Sequence, residues 1–144
     1  MAILTNIVAA DEDEFESIGE SLRPVDEWSG IEVRGIDTAK AVTLHCLLTG
    51  DEFEQAVSFY EPVYVAAEGA LVLRVADEVL EKLAFFDEDA LERVAEELAA
   101  TEEFEMEQWE PVEVHALVME LAQLARLADS QGQVLFVWMH PLLT

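Results

Sequence analysis

The chain has 144 residues, 52% of them hydrophobic, and it carries 32 acidic side chains against seven lysines and arginines, for a formal net charge of −25. This length fits one domain that buries its own core without a disulfide or a metal, and the apolar content argues against a disordered chain. The charge repels phosphate backbones and anionic lipids, which excludes ordinary nucleic-acid or membrane binding and favours a basic partner. The alternative interpretation of the same net charge is a solvated acidic surface that keeps an apolar chain soluble.

The cysteine count and the apolar runs predict the compartment. The only cysteine is Cys46, so an internal disulfide is excluded and a reducing environment is favoured. The amino terminus has no basic start, and the apolar runs are far too short to cross a bilayer. We expect one cytoplasmic domain over residues 1–144.

The first third of the chain predicts a strand, a short helix and a loop. Residues 3–9 (ILTNIVA) are mostly β-branched or small and predict a strand. Asp11 and the three acids after it predict the start of a helix of about two turns. Residues 21–35 contain a proline and two glycines and predict a loop, with a short extended piece over residues 31–34.

A helix with clear ends follows the loop. Asp37 or Thr38 can cap its start, and Gly50 can close it as a left-handed residue. His45 shares one face with apolar residues such as Leu48, and a neighbouring stripe is apolar too. The wide apolar surface predicts an interior helix.

The middle of the chain predicts a helix, a strand and two more helices. Residues 51–60 favour a short helix, and residues 70–75 (ALVLRV) favour a buried strand. Residues 76–83 carry a helical apolar stripe, and Asp87 caps an amphipathic helix.

The last third predicts a connector, a long helix and a strand. Residues 101–111 are rich in glutamate and predict a connector, whereas residues 112–129 carry the most continuous apolar stripe in the chain. A turn at residues 131–132 leads to a final buried strand over residues 133–140. The mixed order of elements predicts an α+β fold: a single compact domain with helices packed on a small mixed sheet.

His45 and Cys46 stand side by side, as the two members of a catalytic thiol and base would. Adjacent helical residues diverge by about 100°, and apolar surroundings raise the pKa of a thiol, so a direct dyad is not predicted and Cys46 is interpreted as a buried hydrophobe. His45 has two interpretations. It is either a core histidine with satisfied ring nitrogens, or it lines a ligand pocket, with Thr49 or a carboxylate within hydrogen-bond distance.

No metal, cofactor or catalytic residue is predicted. His115 has no histidine, cysteine or carboxylate three or four residues away, and the chain lacks the glycine-rich nucleotide loops and the G-x-S-x-G elbow. Paired carboxylates carry no information among 32 acids. Whether the protein is an enzyme is left open, with the balance against it.

Three hypotheses about function follow. The first is a non-catalytic acidic protein that binds a basic partner, for example as an immunity or inhibitor protein. Its partner-binding candidates lie in an acidic tract over residues 96–113 that has eight glutamates and no base; they are Glu102, Glu103, Glu105, Glu107, Trp109 and Glu110. The second is an enzyme or small-ligand binder with a pocket around His45 and Thr49. The third is a homo-oligomer whose apolar end, LFVWMHPLLT, forms an interface.

The chain also resembles a known family. The segments that carry the resemblance are MAILTNIVAADEDE, GIDTAKAVTLHCLLTG, ALVLRVADEVLEKL and VHALVMELAQLARLADSQGQVLFVW. On these it resembles the YfbM-like family, domain of unknown function 1877, whose sharpest motif, L-H-x-x-L-T-G, is present as Leu44, His45, Leu48, Thr49 and Gly50. Ala41 stands where the family usually has a tryptophan. The resemblance implies a compact α+β domain and draws attention to His45, but it implies no activity.

Overall fold

A computed structural model describes residues 3–140, and its strands form one five-stranded sheet. The strand order is β2-β1-β5-β4-β3, and every pairing is antiparallel. The strands are β1 (Leu4–Ala10), β2 (Gly30–Arg34), β3 (Tyr64–Val65), β4 (Leu71–Arg74) and β5 (Val134–His140). The predicted α+β class is confirmed, although the sheet is antiparallel rather than mixed. Arg74 at the end of β4 pairs with Phe136 near the start of β5. The helices between these two strands therefore return the chain to the same end of the sheet, and β5 runs antiparallel to β4.

Seven α-helices accompany the sheet among the described residues. They are α1 (Phe15–Glu20), α2 (Thr38–Thr49), α3 (Phe53–Val57), α4 (Asp77–Phe85), α5 (Glu88–Ala99), α6 (Glu102–Glu105) and α7 (Pro111–Ser130). Short 3-10 turns occupy Glu12–Glu14, Pro24–Asp26 and Ser58–Tyr60.

Helix α2 begins and ends at the predicted capping residues. The Asp37 side chain accepts a hydrogen bond from the backbone N–H of Lys40, and Gly50 closes the helix at a φ of 81°. The structure differs from the prediction in two short elements. The connector contains α6, whose Phe104 is buried, and β3 is a two-residue strand that its pairing with β4 defines.

The core has two parts, one on each face of the sheet. The larger part lies between the sheet and helices α2, α4, α5 and α7, and the smaller part includes Ile18 of α1 and Trp138 of β5. Strand β5 is central, and its residues from Leu135 to Met139 are buried. The part of the predicted apolar interface from Leu135 to Met139 is therefore buried in the protein's own core. Residues 141–144 lie outside the described residues.

Candidate functional site

His45 of α2 lies at the centre of a buried hydrogen-bonded chain. Its side chain is almost fully buried, its Nδ1 lies 3.0 Å from the Tyr60 hydroxyl, and its Nε2 lies 2.8 Å from Oδ2 of Asp51. An ionised carboxylate can only accept a hydrogen bond, so the imidazole proton is assigned to Nε2, which donates to Asp51, and Nδ1 accepts from the Tyr60 hydroxyl. We call this arrangement the Tyr60–His45–Asp51 chain.

The end of α2 places Asp51 beside His45. Gly50 adopts the left-handed conformation that turns the backbone back towards the helix. The Thr49 hydroxyl donates to the His45 carbonyl oxygen at 2.9 Å and accepts from the Asp51 backbone N–H at 3.2 Å. Thr49, a predicted ligand-binding residue, therefore lies next to the site, and its hydroxyl bonds to the backbone on both sides of the turn.

The pKa values of Asp51 and Tyr60 are shifted in opposite directions. The hydrogen bond from His45 is the main reason why the pKa of Asp51 is lowered, against a smaller opposing effect of burial. Burial raises the pKa of Tyr60 to about 12. Tyr60 is thus a neutral donor and Asp51 an ionised acceptor.

The chain forms one wall of an open cavity of about 440 Å³. This size falls within the range of small-ligand sites. The Phe59 ring stacks on the imidazole of His45, with ring centroids 5.4 Å apart and planes inclined by 21°. We call this space the His45 cavity; it is lined by His45, Asp51, Phe59, Val63, Arg74, Val75, Ala76, Asp77 and Glu78.

Charge in the His45 cavity is predominantly negative. Asp51, Asp77 and Glu78 supply three carboxylates, and Arg74 supplies the one guanidinium. That guanidinium is already engaged, because it bonds to Glu12 at 2.9 Å and to Asp77 at 3.0 Å. Its Nε is buried and has no hydrogen-bond partner among the described residues.

The predicted partner-binding residues lie apart from this cavity, and three of them have roles within the chain. The Trp109 ring packs edge-on against Phe104 with centroids 5.3 Å apart, and the Glu107 carboxylate pairs with the buried ammonium of Lys40. The Glu110 backbone N–H bonds to Glu113 at the start of α7. The other three lie on α6, where Glu102 and Glu105 are exposed and Glu103 is half-buried.

A groove runs beside this acidic tract. Its volume is about 440 Å³, and the residues that contribute charge or an aromatic face to it are Glu32, Arg34, Glu107, Trp109, Glu113 and Glu120. Four carboxylates against one guanidinium make it an acidic groove, and we use that name for it below.

Cys46 directly follows His45 on α2. It is half-buried, and its pKa is raised, first by burial and then by the nearby charge of Asp51. A thiol with a raised pKa is a poor nucleophile at neutral pH. Over residues 3–140, no three side chains of histidine, cysteine, aspartate or glutamate come together as a metal-binding group. No helix in that range combines the length and apolarity needed to cross a membrane.

Sequence reasoning missed several residues of the site. Phe59 and Tyr60 lie on the 3-10 turn Ser58–Tyr60 and Arg74 ends β4, and no spacing in the sequence connects these residues to His45. Asp51 had a local signal, because it directly follows the glycine that ends the helix of His45.

A comparison with solved structures found one that is similar to this chain. The structure is similar to the crystal structure of a protein of unknown function, YfbM from Escherichia coli, with 14% sequence identity and a TM-score of 0.46. The match covers 94% of this chain and 99% of that one. No family model and no curated protein matches the chain. The neighbour carries the name of the family that the sequence resembles, and this degree of similarity says nothing about function.

Proposed function

We propose that this protein is a non-catalytic binding protein that accepts a positively charged group in the His45 cavity. The observation that supports this most is the Tyr60–His45–Asp51 chain, which holds one ionised carboxylate in a fixed position at the cavity wall. A cytoplasmic location belongs to the same proposal, because a single half-buried thiol fits a reducing compartment.

Binding fits the chain better than catalysis. A general base or nucleophile needs a free lone pair within reach of a substrate, and both ring nitrogens of His45 are occupied by protein groups. Burial raises the pKa of the Tyr60 hydroxyl to about 12, which is too high for a general acid that works at neutral pH. Asp51 keeps its charge and its orientation, which are the properties of a preorganised acceptor.

A cation is the ligand class that complements the cavity. The carboxylates of Asp51, Asp77 and Glu78 outnumber the one guanidinium, which is already paired. The face of the Phe59 ring adds an attraction of about 0.5–1 kcal/mol for a cation at a partly exposed site. The net charge of −25 also attracts cations from a distance at low salt.

Two small probes of equal shape test this proposal. n-Butylguanidinium carries a charge and an apolar tail, and n-butylurea is its neutral counterpart. In an NMR titration of the ¹⁵N-labelled protein, we expect the charged probe to shift the amide signals of His45, Asp51 and Phe59 with a dissociation constant in the millimolar range. n-Butylurea should bind at least about tenfold more weakly. Equal binding of the two probes, or shifts spread over the whole acidic surface, would contradict the proposal.

The acidic groove supports a second candidate, which is the binding of a basic protein at the acidic tract. The half-buried Trp109 beside four carboxylates is the observation in its favour. The same titration separates the two sites. Shifts confined to the Trp109 indole N–H and the amides of Glu113 and Glu120 would favour the groove over the cavity.

A further inference from the structure

Exposed apolar side chains are concentrated beside the His45 cavity. Among residues 3–140, nine large apolar side chains are exposed, and five of them fall within thirteen consecutive residues. We call these five the apolar patch: Phe53, Val57, Phe59, Val63 and Val65. Isolated exposed apolar residues need no explanation, but a group of them on one segment indicates an interaction surface.

The geometry connects the apolar patch to the cavity. Phe53 and Val57 are one turn apart on α3 and so share one face of that helix. Phe59 and Val63 themselves line the His45 cavity. Val65 lies two residues beyond Val63, at the end of β3.

The chain segment that carries the apolar patch has charge of a single sign. Residues 51–68 contain no lysine or arginine and five acids, which are Asp51, Glu52, Glu54, Glu61 and Glu68. Aromatic and aliphatic anchors with a charged rim are the usual anatomy of a protein interface. The acids of this segment are complementary to a positively charged surface.

We infer that the apolar patch docks a basic segment of another protein, with one of its arginine or lysine side chains entering the His45 cavity. This inference rests on the proposed function, since the cavity supplies the acceptor for that side chain. A second copy of this chain is disfavoured as the occupant, because two chains of net charge −25 repel each other. An anionic membrane is disfavoured for the same reason.

Three short blocked peptides test the inference by NMR titration. The first alternates arginine with leucine and phenylalanine, the second keeps the arginines and replaces the apolar residues with serine, and the third replaces each arginine of the first with glutamate. We expect the first peptide to shift signals over residues 51–65 and to bind at least about tenfold more tightly than the second. The third should not bind. Equal affinity of the first two peptides would overturn the inference, because the apolar patch would then contribute nothing.

Two matched variants separate this inference from the proposed function. Phe53 belongs to the apolar patch but does not line the cavity, and Phe85 is an exposed phenylalanine at the end of α4. We expect Phe53→Ser to weaken the first peptide by about tenfold and to leave n-butylguanidinium affinity unchanged, whereas Phe85→Ser should change neither. If n-butylguanidinium does not bind to the wild-type protein, the proposed function itself is overturned.

Self-association is the remaining outcome. Sedimentation of wild type should show a monomer. A wild-type dimer that Phe53→Ser dissociates would overturn the inference, because a second copy would then cover the apolar patch.

Discussion

Replacing Tyr60 with phenylalanine removes one buried hydroxyl and leaves Nδ1 of His45 without its partner. In the native protein this hydroxyl bonds to Nδ1 of His45 at 3.0 Å. His45 and Tyr60 are 1% and 3% exposed, so water has little access to either group. The tautomer of His45 cannot change without loss of its bond to Asp51.

The expected cost follows from these contacts. An unsatisfied buried donor or acceptor costs about 1–3 kcal/mol, so we expect Tyr60→Phe to lower the free energy of unfolding by about 2 kcal/mol. For a chain of this size that corresponds to a fall in Tm of about 6 °C. The measurement is urea unfolding followed by circular dichroism.

Tyr64→Phe is the matched control. The Tyr64 hydroxyl donates to Glu20 at the surface, so its removal should cost less than about 0.5 kcal/mol. Equal losses of unfolding free energy in the two variants would refute the reasoning, because the Tyr60 hydroxyl would then not be satisfying the buried Nδ1 of His45. A double-mutant cycle of Tyr60→Phe with Asp51→Asn should also show coupling, since both residues act on His45.

Three further predictions concern the buried charge, the core cavity and alkaline pH. Glu107→Gln should destabilise the protein by about 1–2 kcal/mol and Lys40→Met by less, because only Glu107→Gln leaves a buried ammonium without its close carboxylate. Urea midpoints of the two variants give the order, and a larger loss in Lys40→Met would contradict this prediction. Ala41 lines an apolar core cavity of about 40 Å³, so Ala41→Val should raise the free energy of unfolding in urea by up to about 1 kcal/mol, while Ala39→Val should not. The raised pKa of Tyr60 contributes stability that is fully present below pH 10 and is lost as the pH rises towards 12; Tyr60→Phe should remove this part of the pH dependence of unfolding.

Local signals predicted the elements of the fold better than its long-range pairing. The cap at Asp37, the left-handed Gly50 and the apolar stripe of α7 are properties of neighbouring residues, and the structure has them where the sequence places them. The direction of β5 depends on the path of four helices, and β3 exists only because β4 pairs with it. No short window of sequence contains either interaction.

The candidate site was predicted only in part for the same reason. His45 was recognisable as a polar residue on an apolar helix face, whereas its partner Tyr60 is brought to it by the packing of a separate turn. Lys40 shows the limit of polarity as a guide. Its side chain is buried although lysine usually lies at the surface, because its ammonium reaches a carboxylate and its stem lies among core residues.

The affinity of n-butylguanidinium for Asp51→Asn, compared with Asp89→Asn, tests most directly whether Asp51 is the cation acceptor. Both substitutions remove one negative charge, but Asp89 is exposed on α5 and lies outside the His45 cavity. The account predicts that Asp51→Asn weakens binding by at least about tenfold, whereas Asp89→Asn changes it by less than about twofold. Equal affinities of the two variants would contradict it, because the probe would then respond to the overall charge of the protein and not to the carboxylate that His45 holds.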